Sequence, residues 1–489
     1  MKFFRKGNDS APALDFDLDT PVFNLTPGNP MSIRDLCEGC FICGSTGSGK
    51  STGSLYTIIT SLMKMGFGML LTTTKITDFE EYKQWAIDAG RGDDVVRFCP
   101  AENHRFNPFL WEMSRKGEGA GISVNLVRLF EILLEISERE SGSGKGSDDS
   151  YWKYARGQLL RNLCDLAILA RGQVSLSLLS DILASMPRSI EERKSKNWQA
   201  NSLCFTLILE AQHKQKQGLL SETQSRDLHL TVRFIISEFP KLSPRTRTSI
   251  ESMVTSMMDN LNRGYMHELF GQGVNCSPDD TFTKQSIIII DMPVKEFAEL
   301  GLIANGIWKF CYQKSVERRD LKQYPLPVAL ICDEFQAHTN SFDILYQATA
   351  RGSRSITIYA TQSYSSVLDA LGGGESAKAA TDSLLSNLNI KIGHSTNDPV
   401  TSEWLTSVVG RWWTTKLSVG STITTDGSRM RNSNASETLE NIVEPYSYSL
   451  LRKGGPANQN IVEAIVCQTG RRFSNGQTYI LAEFKQPKR

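Results

Sequence analysis

The stretch that most constrains the fold of this chain is 44–51, which matches the phosphate-binding pattern G-x-x-x-x-G-K-[S/T] in full. The residues before it, 39–43, are apolar and typical of a strand, and 55–63 carries apolar side chains on one helical face. The pattern therefore predicts a strand, a glycine-rich loop and a helix whose backbone N–H groups converge on phosphate oxygens. The predicted nucleotide-binding residues are Gly44, Ser45, Thr46, Gly47, Ser48, Gly49, Lys50, Ser51 and Thr52.

Four side chains indicate that a nucleotide bound with Mg²⁺ is hydrolysed at such a loop. Lys50 is expected to reach the β- and γ-phosphates, and the Ser51 hydroxyl to ligate Mg²⁺. A second apolar run, 327–332, ends in Asp333 and Glu334. In phosphate-loop ATPases the first acid of such a pair holds the Mg²⁺ shell, and the second orients and deprotonates the attacking water. Acids also end strands at ordinary helix starts, so this prediction depends on the intact loop. We predict ATP and Mg²⁺ as cofactors, with Ser51 and Asp333 at the metal and Lys50 and Glu334 in catalysis.

Two further candidates flank the next predicted strand, 355–361. Gln362 ends that strand, where a polar side chain can contact the γ-phosphate and report hydrolysis; the alternative is a strand-end cap. Arg351 and Arg354 lie in the turn before the strand. A hydrolytic ATPase needs positive charge on the transferring phosphoryl group, often from a neighbouring subunit, and we favour Arg351 for this role. The alternative is an ordinary surface arginine.

The rest of the chain has α/β patterning in two separated blocks. Residues 38–112 and 271–489 predict the two parts of a nucleotide-binding domain with a mainly parallel sheet, and 286–290 predicts a strand buried on both faces. Between them, 113–270 has only helical periodicity and predicts an inserted all-helical domain. Residues 1–37 predict a lead-in with one edge hairpin. Composition predicts a flexible linker at 141–147 and a mobile loop at 420–436.

Composition restricts the class of protein and the cellular compartment expected for this chain. The 489 residues are 40% hydrophobic and 22% charged, which is ordinary for a soluble protein of two or three domains. The formal net charge is +1, so contact with nucleic acid must come from local patches or from subunits lining a pore. Ten scattered cysteines predict reduced thiols of a cytoplasmic protein, with Cys37, Cys40 and Cys43 as buried small hydrophobes rather than metal ligands. No apolar run approaches the ~18 residues that span a bilayer, so no membrane anchor is expected.

With these motifs in place, the sequence resembles the type IV coupling proteins of conjugation and type IV secretion, within the FtsK/HerA-type ring ATPases, from about residue 38 onward. The motifs that carry the resemblance are 44–51, Asn107-Pro108-Phe109, Tyr151-Trp152, Asp333-Glu334-Phe335, Ala350-Arg351-Gly352, Ala360-Thr361-Gln362 and Arg452-Lys453-Gly454-Gly455.

The resemblance implies a RecA-like ATPase in a hexameric ring, with DNA in a central pore and Arg351 acting on the neighbour's nucleotide. It also implies a helical domain that receives a relaxase complex or secreted proteins. This chain departs from the family in two places. Members commonly have an N-terminal membrane anchor, and an acidic, glycine-containing turn where this chain has 73–75, Thr-Thr-Lys. Two expectations follow: a cytoplasmic variant that docks on a separate membrane-anchor protein at the inner face of the cell membrane, or a ring ATPase used away from any secretion channel.

Three functions are consistent with the sequence. The first is an ATP-driven DNA translocase that acts as a coupling protein and delivers DNA, nucleoprotein or protein to a secretion channel. The second keeps the motor but places it in mobile-element defence or DNA packaging. The third is an adaptor that binds substrates through its helical domain and uses nucleotide only to hold the ring together, although the intact Glu334 argues against it. A GTPase is disfavoured because no Asn-Lys-x-Asp-type element follows the loop.

Overall fold

The structure is a computed structural model that describes residues 17–140, 149–423 and 429–487; the predicted linker at 141–147 lies outside them. The strands, in chain order, are β1 Pro21–Thr26, β2 Asn29–Ser32, β3 Cys40–Cys43, β4 Met69–Thr72, β5 Val95–Phe98, β6 Ile287–Ile290, β7 Val328–Cys332, β8 Ser355–Thr361, β9 Ile390–Gly393, β10 Arg411–Ile423, β11 Arg429–Asn441, β12 Ile461–Gln468 and β13 Tyr479–Lys485. The helices are α1 Ile33–Cys37, α2 Tyr56–Lys64, α3 Asp78–Asp88, α4 Pro108–Ser114, α5 Ser123–Glu140, α6 Asp149–Arg171, α7 Leu176–Ala184, α8 Lys196–Asn201, α9 Leu203–Lys216, α10 Glu222–Arg233, α11 Pro244–Asn262, α12 Gly264–Phe270, α13 Asp280–Thr283, α14 Val294–Arg318, α15 Phe335–His338, α16 Phe342–Thr349, α17 Tyr364–Ala370, α18 Gly374–Ser386 and α19 Pro399–Val409.

Nine of the strands form one mixed sheet in the order β13-β12-β9-β3-β8-β7-β4-β6-β5. β3 pairs in parallel with β8 and β9, and β6 with β4 and β5, whereas β12 pairs antiparallel with β9 and β13. β3, β4, β6 and β7 are buried along their whole length, as expected for parallel strands covered on both faces. The predicted α/β class with a mainly parallel central sheet is confirmed.

The chain divides into two compact units. One is built from the residues up to 66, from 332–336 and from 347 onward. It contains β3, β8, β9, β12 and β13. β1 and β2 confirm the predicted hairpin, which forms a two-stranded sheet of its own rather than an edge of the main sheet. All of the predicted site residues lie in this unit, so the site is described within it.

The second unit holds 67–331 and 337–346, including β4 to β6, β7 up to Ile331 and the helices α4 to α12. Within it α6 packs against α5, α9 and α10, and its Leu159, Leu163 and Leu166 are fully buried on one face. Across the described ranges no single helix has the length and apolarity to cross a bilayer; the pair Tyr151–Arg171 and Leu176–Ala184, bent by 107°, meets these criteria only when taken together.

The second unit also contains a fully buried ion pair. Lys309 Nζ of α14 donates to Asp343 Oδ2 at 2.6 Å, and both side chains are 0% exposed. The Gln313 amide donates to Asp343 Oδ1 at 2.7 Å, and the Asn340 backbone N–H donates to Oδ2 at 2.8 Å. The carboxylate therefore replaces lost water with several donors, as a buried charge requires.

The mobile loop predicted at 420–436 is wrong for the residues that the structure describes. β10 and β11 are 13 residues each and pair antiparallel from Arg411↔Asn441 to Ile423↔Arg429. The loop prediction came from the Ser, Thr, Asn and Gly content. An exposed two-stranded ribbon needs no buried apolar face, so its composition looks like that of a loop even though its threonines and valine favour strands.

Candidate active site

The loop between β3 and α2 has the geometry of a phosphate cradle. Gly47 and Gly49 have φ of 73° and 87°, a region that other residues rarely adopt. The turn Ser51–Leu55 is π-helical and continues into α2. The buried Lys50 ammonium donates to the Gly44 carbonyl at 2.6 Å, so the side chain folds back over the loop. The predicted strand, loop and helix are therefore present.

The loop is held in place by β12 and by the end of the described chain. A Cβ built on Gly49 would stand 2.6 Å from Val462 Cγ2, closer than real Cβ contacts allow. The Gln486 amide donates to Thr52 Oγ1 at 2.5 Å. Because these neighbours come from far along the chain, the loop is preorganised by the fold of the unit as well as by its own glycines.

A polar cleft of about 530 Å³ opens beside the tip of the loop. Ser45, Thr46 and Gln362 lie on its wall, together with Lys453 and several serine and threonine hydroxyls. The Ser45 hydroxyl donates to Asn397 Oδ1 at 3.1 Å. The side of the loop next to Gln362 is thus open and lined by groups that can hydrogen-bond to a charged ligand.

Ser51 and Asp333 meet directly. The Ser51 hydroxyl donates to Asp333 Oδ2 at 2.6 Å, and Asp333 is 4% exposed. Hydroxyl and carboxylate oxygens are the hard donors that Mg²⁺ prefers. Among the described residues the buried Ser48 hydroxyl has no hydrogen-bond partner, which leaves a donor in the loop for an acceptor such as a phosphate oxygen. The residues present therefore fit a nucleotide with Mg²⁺, and Ser51 and Asp333 would hold the metal.

Glu334 follows Asp333 in a strained backbone conformation. Its φ is 57°, which costs on the order of 1–3 kcal/mol for a residue other than glycine and occurs often at active sites. Its Oε2 accepts hydrogen bonds from Gln336 Nε2 at 2.6 Å and from Gln362 Nε2 at 3.2 Å. The structure therefore brings Gln362 to the predicted catalytic carboxylate. Its role as a γ-phosphate sensor stays a prediction.

A buried histidine fastens the loop to β9. His394 Nε2 lies 2.7 Å from Ser54 Oγ, and Nδ1 lies 2.9 Å from the Glu463 carbonyl oxygen. Burial lowers the pKa of His394 to about 3; the Glu463 carbonyl opposes this shift, and the nearby Lys50 charge adds to it. The ring is therefore neutral, with Nδ1–H donating to the carbonyl and Nε2 accepting from the Ser54 hydroxyl. A Cβ on Gly44 would stand 2.7 Å from His394 Cβ, so glycine is needed there.

Arg351 lies at the other end of β8 from Gln362. The seven residues of β8 rise by about 23 Å at ~3.3 Å each, farther than an arginine side chain can reach. The Arg351 side chain is exposed and pairs with Glu38 at 3.3 Å. Arg354, with φ of 50°, sits directly before the strand. Neither arginine is brought to the nucleotide loop of its own chain, so action on a neighbour's nucleotide stays a prediction.

Cys37, Cys40 and Cys43 are buried, as predicted for small apolar side chains. Burial raises the pKa of Cys43 to about 12 and that of Cys40 further. In the part of the chain that the structure describes, no group of three or more His, Cys, Asp or Glu residues is arranged to hold a metal ion. These thiols are therefore part of the core under the loop.

Three residues that contact the site were not predicted from the sequence: Gln336, His394 and Gln486. His394 is separated from Ser54 by 340 positions, and Gln486 from Thr52 by 434, so no local pattern could pair them. Gln336 did carry a local signal, because it is an amide two positions after Glu334 at the end of a buried strand.

The comparisons with known proteins agree with this geometry. Residues 327–451 match the family model described as the TraM recognition site of TraD and TraG. The comparison with curated protein sequences finds no match. Similarity to solved structures defines a RecA-like coupling-protein fold, and the resemblance to type IV coupling proteins is confirmed in that fold and in the matched segment.

Among the solved structures to which this chain is similar is the bacterial conjugative coupling protein TrwB. Its trigonal form with sulphate has a TM-score of 0.61 at 15% identity and covers 100% of this chain and 95% of that chain. TrwB in complex with ADP and Mg²⁺ has a TM-score of 0.59 at 15% identity, covering 97% and 90%. TrwB with the non-hydrolysable GTP analogue GDPNP has a TM-score of 0.58 at 15% identity, covering 98% and 92%. At this identity the likeness establishes the fold.

Proposed function

We propose that this chain is an ATPase of conjugation or type IV secretion that uses ATP and Mg²⁺ to translocate DNA through a homohexameric ring. The observation that carries the proposal is the convergence of Lys50, the Ser51–Asp333 pair and Glu334 at one edge of the sheet. This set contains what hydrolysis needs beyond binding. The TrwB complexes with ADP and Mg²⁺ and with an ATP analogue support the choice of ligand.

Each residue has a defined task in hydrolysis. Lys50 exchanges its bond to the Gly44 carbonyl for the β- and γ-phosphates, and the loop N–H groups bind the remaining oxygens. Glu334 orients the attacking water and accepts its proton. Gln362, bonded to Glu334, senses the γ-phosphate. Bound Mg²⁺ would neutralise charge on the phosphates.

In the proposed ring, a neighbouring copy would supply the positive charge that one chain does not bring to its own nucleotide. Arg351 of one copy would reach the nucleotide of the next, where positive charge lowers the barrier to phosphoryl transfer. Basic side chains would contact the DNA backbone in the pore, which makes binding salt-sensitive and largely independent of sequence. The match of 327–451 to the family described as the TraM recognition site supports a partner from the DNA-processing complex. We also propose a relaxase complex or a secreted protein as a partner at the helical domain, which lies outside the matched segment. We place the chain in the cytoplasm, at the inner face of the cell membrane.

Steady-state ATP hydrolysis, measured with and without single- and double-stranded DNA, tests the proposal. DNA should stimulate hydrolysis. Lys50→Ala should abolish it together with ATP binding. Glu334→Gln should lower hydrolysis by about 10²-fold or more but leave ATP binding intact. The exposed Lys64→Ala and Glu375→Gln are matched controls and should behave as wild type. If neither single- nor double-stranded DNA changed the rate of ATP hydrolysis, the translocase proposal would be wrong.

A further inference from the structure

The turn after β7 is fastened to one face of β8. Phe335 stacks on Tyr359 with ring centroids 3.9 Å apart and planes 10° apart. Two residues along β8, the Thr361 hydroxyl donates to Gln336 Oε1 at 2.7 Å. Tyr359 and Thr361 share a face because strand side chains alternate. This face therefore contacts the two residues that follow Glu334.

Gln336 also contacts Glu334, so its hydrogen bond to β8 restrains the Glu334 side chain. Its Oε1 accepts from Thr361 while its Nε2 donates to Glu334 Oε2 at 2.6 Å. An amide can accept and donate at once through a planar group, whereas a carboxylate could only accept and a leucine could do neither. The result is a continuous chain of hydrogen bonds from Thr361 through Gln336 to Glu334.

The Glu334 backbone makes this anchoring necessary. Its φ of 57° is a conformation that persists only when the surroundings fix it. Gln362 donates to the same carboxylate oxygen at the longer distance of 3.2 Å, so Gln336 makes the shorter of the two amide contacts.

We propose that Gln336 is a positioning residue for hydrolysis: fixed by Thr361, it sets the orientation of the Glu334 carboxylate that activates water. The inference rests on the proposed function, since it assigns a role in the same reaction. Gln336 acts through Glu334, so its removal should slow the chemical step and leave nucleotide binding unchanged.

The test compares four variants by kcat, by KM and by affinity for a fluorescent ADP analogue. Gln336→Leu should lower kcat by about 10-fold or more, since small misplacements of a catalytic group are costly. Its KM and ADP affinity should stay within about twofold of wild type. Thr361→Val should lower kcat in the same direction but less. The double variant should be no worse than Gln336→Leu, because the two residues act in series.

Thr357→Val is the matched control. Thr357 lies on the same face of β8, and its buried hydroxyl has no hydrogen-bond partner among the described residues. This variant removes a strand hydroxyl without touching the chain to Glu334, so kcat should not change.

A wild-type kcat in Gln336→Leu would overturn the inference, as would a parallel loss of ADP affinity or strictly additive losses in the double variant. A crystal structure of Gln336→Leu gives a readout that does not depend on activity. The Glu334 carboxylate should move or occupy several positions, and an unchanged carboxylate would also overturn the inference. If wild type hydrolyses no ATP, the proposed function fails, and the crystal structure alone decides the positioning role.

Discussion

Acidification should lower the free energy of unfolding of the unit that holds the phosphate-binding loop, because at mildly acidic pH the His394 ring takes up a proton only in the unfolded chain. Burial lowers the pKa of this imidazole to about 3 in the folded chain, against ~6.5 for an unfolded histidine. Between these values the unfolded state binds more protons than the folded state, so the free energy of unfolding rises with pH and is lost as the pH falls below ~6.5. At ~1.4 kcal/mol per pH unit, His394 should destabilise the fold by about 2 kcal/mol at about pH 5.0 relative to about pH 7.5.

A titration of histidine ring signals measures this pKa directly. The chain has six histidines, and labelling the imidazole Cε1 with carbon-13 followed by His394→Asn assigns the signal that disappears. The His394 signal should stay constant from about pH 8 to about pH 5, whereas an exposed histidine should titrate near ~6.5. A midpoint near ~6.5 for His394 would refute the reasoning.

Urea unfolding at the two pH values measures the energetic consequence. His394→Asn leaves the buried Ser54 hydroxyl without its acceptor, which costs about 1–3 kcal/mol at both pH values and so cancels in the comparison. Wild type should lose about 2 kcal/mol more than the variant on acidification. Equal losses of unfolding free energy in wild type and variant would mean that His394 does not make the stability of the fold depend on pH.

Three further perturbations test other parts of the fold and site. Gly49→Ala should abolish binding of a fluorescent ADP analogue, because a Cβ there would lie 2.6 Å from a valine methyl at a φ of 87°; Gly28→Ala, with φ of 80° and no atom within 4 Å, should bind normally. Lys309→Met should lower the free energy of unfolding in urea by about 3–5 kcal/mol, because it leaves Asp343 buried without its cation; a loss under about 1 kcal/mol would contradict this. Arg351→Ala should remove hydrolysis from assembled rings and spare nucleotide binding, whereas unchanged hydrolysis would make Arg351 an ordinary surface residue.

The parts of the site that were predictable from sequence obey short-range or general rules. The loop at 44–51 is a contiguous pattern, and β3 and β8 are parallel, so their carboxyl ends meet at one edge. For this reason the sequence predicts that Asp333, Glu334 and Gln362 lie beside the loop.

The parts that were not predictable depend on packing between distant segments. No periodicity marks His394, and its pairing with Ser54 exists only because β3 and β9 lie side by side. The ribbon β10–β11 was missed for a different reason. Its serine, threonine and asparagine content is shared by loops and by exposed hairpins, and only the cross-strand pairing separates the two.

The position of β8 gives the proposed ring a specific internal connection. Gln362 follows its last residue, beside Glu334, and Arg351 lies in the turn before its first residue, so a strand about 23 Å long separates the two. In a single chain that separation leaves the arginine with no part in hydrolysis. In the proposed ring the same separation would let one strand contact two nucleotides, its own through Gln362 and the neighbour's through Arg351. If hydrolysis changed the Glu334–Gln362 contact, the change would act on the end of β8 that Gln362 follows. Arg351 stands at the opposite end of β8, so the strand would link successive nucleotide sites.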